Sequence, residues 1–208
     1  MPTTTPPRGL YLITQEADDG QTLLARTTPL LASGAVTWLQ YRNRAADAPA
    51  RLRQAVALQA LCELHGIPLI INDDVQLARD VGAAGVHLED NDIGVAAART
   101  ALGPQALVGA SCYDQASLAR QAVRDGASYV SFGAFFPSRS KPTSHRATTA
   151  VLRDTAALGV PRVAIGGLTP DNAGPIVAAG ADLVAAIGGV YDAPDPIATV
   201  HAFQALFA

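Results

Sequence analysis

The stretch Val36-Thr37-Trp38-Leu39-Gln40-Tyr41, with Asp47–His65 behind it and Pro68-Leu69-Ile70-Ile71-Asn72 after that, decides the fold. Two short apolar runs flank one long Ala- and Leu-rich stretch, which reads as strand, helix, strand. Short apolar runs of this kind mark parallel strands covered on both faces. The unit repeats in both directions. Candidate strands are Gly9–Thr14, Val36–Tyr41, Pro68–Asn72, Gly85–Leu88, Leu107–Ala110, Tyr129–Phe132, Arg162–Ile165 and Leu183–Ile187. Helix-like segments between them are Gln21–Ser33, Asp47–His65, Asp74–Val81, Ile93–Ala101, Gln115–Asp125, Thr148–Leu158, Pro170–Ala179 and Ile197–Phe207. Eight strands, each followed by a helix, predict an α/β protein with a closed (β/α)8 TIM barrel. An open doubly wound sheet is the structural alternative.

Turn chemistry supports these boundaries. Asp47 can cap the second helix, and Asn72-Asp73-Asp74 the third. Thr169-Pro170 places a hydroxyl at an N-cap and proline at the first helical position. Phe136–Thr149 is the longest connection without periodicity, and its Ser, Pro, Lys and Arg content reads as a mobile loop. Residues 1–8 read as a frayed or extended N-terminus and 9–208 as one compact domain, with no linker and no second domain. Hydrophobic residues make up 49% of the 208, which excludes disorder for most of the chain. The net charge of −3 makes nucleic acid no obvious partner. Charges interrupt every apolar run before it could span a membrane, and the Thr- and Pro-rich start does not read as a secretion signal. The expected setting is cytoplasmic. The two cysteines, Cys62 and Cys112, fit neither a disulfide framework nor a zinc pattern and read as reduced core thiols.

Barrels of this type place active sites at the C-terminal ends of the strands. The second strand runs into Gln40-Tyr41-Arg42-Asn43-Arg44, where residues two apart can point together. Arginine forks there suit phosphate oxygens, and a surface ion pair is the ordinary alternative. The third strand runs into Asn72-Asp73-Asp74 and the fourth into His87-Leu88-Glu89-Asp90-Asn91-Asp92. Carboxylates on adjacent strand ends suit Mg²⁺ shared with substrate phosphates. Helix capping is the alternative, and one acid of each group is expected to cap. His87 reads as a packed strand residue. Ser111 follows the fifth strand; Ser138, Ser140 and Lys141 lie on the loop after the sixth and could wrap a diphosphate. Gly166-Gly167 follows the seventh strand and Ile187-Gly188-Gly189 ends the eighth, the recurrent phosphate position of such barrels. Tight turns needing glycine would give the same pattern.

The strings Gly9–Thr14, Gln40–Arg42, Ile71–Asp73, Gly85–Leu88, Phe136–Lys141 and Ala164–Gly167, in this order, resemble the successive signatures of the thiamine-phosphate synthase family. The resemblance implies a transferase of thiamine biosynthesis. A hydroxymethylpyrimidine diphosphate joins a thiazole phosphate, giving thiamine phosphate and pyrophosphate. The diphosphate leaves first, and the thiazole nitrogen attacks the pyrimidine cation. Catalysis is then mostly charge neutralisation and positioning, with Arg42, Ser111 and Lys141 as the catalytic groups. The resemblance assigns Mg²⁺ to Asp73 and Asp92. It assigns the pyrimidine diphosphate to Gln40, Arg42, Arg44, Asn72, Ser111 and Lys141. It assigns the thiazole phosphate to Ser138, Ser140, Gly167, Ile187 and Gly188. Several positions depart from the family pattern. Arg44 stands for a lysine, Ser138 and Ser140 for threonines, Gly188 for a serine, and Glu89-Asp90 for a Gly-Gln pair. A related thiazole tautomerase, which needs no diphosphate site, and a non-catalytic phosphate-binding relative are the rival readings. Small phosphorylated molecules are the expected partners, and a homo-oligomer is left open.

Overall fold

A computed structural model describes residues 6–17, 19–89, 94–138 and 144–208. Each apolar run becomes a strand: β1 Gly9–Ile13, β2 Val36–Tyr41, β3 Leu69–Asn72, β4 Gly85–Leu88, β5 Leu107–Ser111, β6 Tyr129–Phe132, β7 Arg162–Ile165 and β8 Leu183–Ala186. Neighbours pair in parallel all the way round, and β8 pairs back onto β1 through Gly9–Leu12 and Leu183–Ala186. The sheet is therefore closed, and the open-sheet alternative is set aside.

The helices are α1 Gly20–Ala32, α2 Ala48–His65, α3 Val75–Asp80, α4 Gly94–Leu102, α5 Ala116–Arg124, α6 Thr149–Asp154, α7 Pro170–Ala178, α8 Gly188–Tyr191 and α9 Pro196–Ala205. Asp47 caps α2 through Ala50 N at 2.8 Å, and Asp74 caps α3 through Leu77 N at 2.8 Å. Two expectations need correction. The sixth helix does not run unbroken over Thr148–Leu158: Thr155 turns its hydroxyl onto Val151 O at 2.6 Å, and a 3₁₀ turn follows at Ala156–Leu158. Such back-bonding competes with the helix ladder. The eighth strand ends at Ala186, and Gly188-Gly189 opens the short helix α8. Glycine's poor helix propensity hides that helix from periodicity. Residues 1–5 of the expected N-terminal arm lie outside the described residues.

Closure divides each strand into two faces. Leu10, Leu12, Leu39 and Val130 face the helices in the main core. Tyr11, Trp38, Ile70, Tyr129, Val163 and Leu183 fill the barrel. Three of these pack edge to face, with ring centroids 5.4 Å (Tyr11–Trp38), 6.0 Å (Tyr11–Tyr129) and 5.0 Å (Trp38–Tyr129) apart. The Tyr129 ring fits only because Gly109 faces it: a Cβ there would sit 2.0 Å from the ring.

At the opposite end from the strand C-termini, Arg99 gathers loose carbonyls. Its guanidinium donates to Gly126 O at 2.8 Å, Gly103 O at 3.0 Å, Ala106 O at 2.6 Å and Ser128 Oγ at 2.6 Å. A planar fork with five donors can serve these turns together; a lysine cannot. Arg99→Met should lower stability by about 2–3 kcal/mol, the cost of leaving buried acceptors unmade, seen as a Tm drop of roughly 5–10 °C. Arg99→Lys should recover less than half. An unchanged melting curve for Arg99→Met would contradict this role.

Both thiols are core groups, with Cys62 and Cys112 each 1% exposed. Burial pushes both thiols up to about 12, so they stay protonated at neutral pH. Iodoacetamide at pH 8 should therefore label neither in the native protein and both after unfolding; rapid native labelling of Cys112 would show that its strand end opens.

Candidate active site

Parallel closure turns all eight strand C-termini toward one mouth, and the polar residues expected there gather in two recesses. Arg42, Arg44, Asn72 and Asp73 line the first, together with Arg51 of α2 and residues 75–77 of α3, so it opens between the β2 and β3 ends and those helices. Ser111, Ser131 and Ser138 line the second, together with Gly166, Gly167, Ile187, Gly188 and Gly189.

In the first recess Arg42 is buried at 8% exposure. Its backbone N–H donates to Thr14 Oγ1 at 2.9 Å, and Nη1 meets Glu16 Oε1 at 2.8 Å. Its Nε is buried and has no acceptor among the described residues. An unspent buried donor on a fixed cation suits an anionic ligand. Asp73 sits at φ 58°, a left-handed conformation rare outside glycine, with its N–H bonded to His87 O at 2.8 Å. That turn aims the carboxylate across the β3 and β4 ends. Oδ1 accepts from Glu89 N at 2.7 Å, and Oδ2 from Asn72 Nδ2 at 2.8 Å. Asp74 is spent as the α3 cap, the role expected of one acid in this group. Arg44 spans Asp73 and Glu89, at 3.4 Å and 2.7 Å. The Glu89 side chain is only 4% exposed, and that guanidinium offsets part of the cost of burying its charge.

Magnesium takes hard oxygen donors. The Asp73 carboxylate and the neighbouring Asn72 Oδ1, which is buried without a partner among the described residues, are such donors. Asp92, the second expected ligand, lies outside the described residues, as do Ser140 and Lys141. Among the described residues no cluster of three His, Cys, Asp or Glu forms a site by itself.

The second recess, about 280 Å³, is built on backbone. Gly167 has φ 61°, and a Cβ on it would lie 2.4 Å from Pro137 O and 2.8 Å from Phe136 Cβ. Only glycine lets the loop after β6 close down on the β7 end, where Phe136 N bonds Gly166 O at 3.0 Å. In α8 the ladder starts with Val190 N and Tyr191 N on Ile187 O, which leaves the N–H groups of Gly188 and Gly189 free of the ladder.

Gln40 lines neither recess. It is 1% exposed, donating to Tyr11 Oη at 2.9 Å while its Oε1 has no partner among the described residues. Ser111 reaches the second recess from above His87, whose Nε2 is 3.1 Å away. His87 is packed among Tyr129, Ser111 and Ser131, as its strand position suggested. Burial pushes the Tyr11 and Tyr129 phenols well above their usual range, so both stay neutral.

Sequence reasoning missed three contributors. Glu16, the partner of Arg42, follows β1, where the same strand-end rule applies but no candidate was sought. Tyr113, at φ 53°, lines the second recess and stacks on His145 with centroids 4.4 Å apart. Asp192 closes α8 and accepts from Gln15 Nε2 at 3.1 Å; no sequence signal marks it.

Known proteins carry the same pattern. Residues 10–190 match the family described as thiamine monophosphate synthase. A thiamine-phosphate synthase of Xanthomonas campestris pv. campestris (strain 8004) is 57% identical over 207 residues, covering 100% of this chain and 99% of that relative. One from Xylella fastidiosa (strain Temecula1 / ATCC 700964) is 54% identical, covering 97% of this chain and 85% of that relative. Among solved structures, a thiamine phosphate pyrophosphorylase from Pyrococcus furiosus superposes with a TM-score of 0.82 at 27% identity, covering 95% of this chain and 94% of that one. A 3-hexulose-6-phosphate synthase from Salmonella typhimurium shares the fold alone, with a TM-score of 0.68 at 15% identity over 95% of this chain and 97% of that one. With most of its length matched by the family pattern and more than half of its residues identical to a full-length relative, the chain belongs to the thiamine monophosphate synthase family.

Proposed function

We propose that this protein condenses 4-amino-2-methyl-5-hydroxymethylpyrimidine diphosphate with 4-methyl-5-(2-phosphooxyethyl)thiazole, releasing pyrophosphate and thiamine phosphate. The observation that carries this reading is the split mouth. One recess offers arginines and carboxylates; the other offers glycine backbone and hydroxyls. Two substrates with different phosphate groups need two such places side by side. An isomerase acting on the thiazole phosphate alone has no use for the first recess. A cytoplasmic setting accords with the two unpaired core thiols.

In the first step the bond from the methylene carbon to the diphosphate oxygen breaks, and its electron pair leaves with the diphosphate. Arg42 meets the growing charge with its unspent Nε, and Arg44 stands beside it. By family likeness Lys141 would meet the same leaving group, and Asp73 and Asp92 would hold Mg²⁺. The metal, when bound, neutralises diphosphate oxygens. Gln40, Asn72 and Ser111 hold the pyrimidine. In the second step the thiazole nitrogen donates its pair to the methylene carbon. Ser138, Ser140 and the backbone at Gly167, Ile187 and Gly188 hold the thiazole phosphate so that the nitrogen faces that carbon. Orientation of this kind replaces a nucleophile or general base. Water has to be kept from the cation, which it would otherwise capture as an alcohol.

Two expectations test the assignment. Asp73→Asn should slow pyrophosphate release about 100-fold, near 2.7 kcal/mol of barrier, and blunt its Mg²⁺ dependence, while the melting temperature stays close to wild type. Initial rates of pyrophosphate release from both substrates, with Mg²⁺ or EDTA, measure this; full activity of the variant in EDTA contradicts it. Gly167→Val adds a side chain where Pro137 and Phe136 already stand, so it should lift the loop from the thiazole phosphate. Its KM for that substrate should rise at least fivefold more than its KM for the diphosphate; equal changes count against the assignment.

A further inference from the structure

The longest helix, α2, is apolar on the side that faces away from the barrel. It turns Gln54, Ala55, Leu58 and Cys62 into the core. Its opposite face carries Leu52 at 44% exposure, Val56 at 52% and Leu64 at 77%, with Ala60 exposed between the last two. Three of the five large apolar side chains exposed among the described residues therefore lie on this one helix. Residues four apart stand one above another on a helix, so these four form a single stripe about 18 Å long. Apolar residues scattered singly over a surface are ordinary, but a continuous stripe on an outer helix face marks a surface that something covers.

Two charges flank the stripe. Arg53 and Glu63 are both exposed, and neither enters an ion pair among the described residues. Glu63 accepts from Gln59 Nε2 at 2.9 Å, one turn earlier on the same helix. It lies in the last turn of α2, where a negative charge opposes the helix dipole, so its placement does nothing for the helix itself.

The positions of these six residues are related by a two-fold. When two copies of α2 run antiparallel with Leu58 at the same level, Leu52 of each lies level with Leu64 of the other. Val56 then lies level with Ala60, and Arg53 with Glu63, in both directions. Every apolar residue of the stripe gains an apolar counterpart, and each charge its opposite. A parallel pair would set each residue level with itself, arginine beside arginine and glutamate beside glutamate. A slip of one turn in the antiparallel pair would lose both ion pairs. The small Ala60 opposite Val56 lets the two helices approach closely at the centre.

We propose that the outer face of α2 is the seam of a homodimer, in which a second copy of this chain packs antiparallel along Leu52–Leu64 about a two-fold axis level with Leu58. Such an interface is isologous, with the same patch used on both copies. It leaves the barrel mouth of each copy open. One helix pair is a small interface by the standard of specific complexes, so the dimer forms reversibly, with a Kd of about 1–100 μM.

Sedimentation velocity on the full chain from about 1 to 500 μM, at low ionic strength so that surface charges are little screened, tests this. The expected result is a concentration-dependent shift from monomer to dimer. Val56→Glu should weaken association at least tenfold, while its melting temperature at low concentration stays near wild type, because Val56 is half exposed. A wild-type chain that stays monomeric throughout overturns the proposal and leaves the face to a different partner. A dimer that persists unchanged in Val56→Glu overturns it too, because the dimer then uses another surface. The charges test the register. Arg53→Glu alone and Glu63→Arg alone each set like charges level with one another twice per dimer, and each should weaken self-association about tenfold. Neither change runs against the helix dipole, so the fold of the monomer is not the cause. Mixed in equal amounts, the two variants should associate as strongly as wild type, since one chain then carries two acids and the other two bases at these levels. The double variant Arg53→Glu/Glu63→Arg should recover self-association. Single variants that self-associate like wild type, or a mixture no stronger than its parts, overturn the antiparallel seam.

Discussion

The ladder between β8 and β1 is the constraint on which the rest of the structure depends. With it, the sheet has no edge, every strand C-terminus opens on one mouth, and alternate residues of eight strands are forced into one interior. That interior must be filled without voids and without stranded polar groups. Tyr11, Trp38 and Tyr129 supply the volume, and Gly109 supplies the clearance one of them needs. Above them the inward positions carry Gln40, His87, Ser111 and Ser131, so the packing layer ends in hydroxyls where the polar layer begins.

The two recesses show two ways of binding phosphate. In the second, glycine brings backbone close, and the cost is conformational: Gly167 holds φ 61° against the start of the loop after β6. In the first, side-chain charge does the work, and the cost is electrostatic. Two of the departures from the family pattern meet here. Arg44, standing for a lysine, bonds Glu89, standing for a glycine, at 2.7 Å. The Glu89 side chain is only 4% exposed, and one guanidinium nitrogen, Nη2, meets both its carboxylate and that of Asp73. Together they form a pair that keeps Asp73 aimed across the β3 and β4 ends.

Much of this was legible in the sequence, for physical reasons. Short apolar runs exposed β2, β4, β6 and β7 at their observed limits because parallel strands buried on both faces are built mostly from apolar residues. Asp47 and Asp74 were readable as caps because an N-cap needs a short acceptor at a helix start. What escaped notice was encoded without periodicity. The helix α8 begins with two glycines and is four residues long, too short for any repeat to show. The break at Thr155 is one hydroxyl choosing a carbonyl. The Arg42–Glu16 pair joins residues 26 apart, and nothing local announces that they meet.

The interior line of hydroxyls is a second constraint that closure imposes. Phenylalanine in place of either tyrosine would fill the barrel equally well, so volume alone does not account for Tyr11 and Tyr129. Their hydroxyls, buried and mutually bonded, would each cost about 1–3 kcal/mol if left unmade. That cost is met when each hydroxyl along the line between Gln40 and Ser111 passes its proton to the next group, so the groups are held as a set. A line of this kind needs a closed barrel, because only closure brings β1, β2, β4, β5 and β6 around one axis.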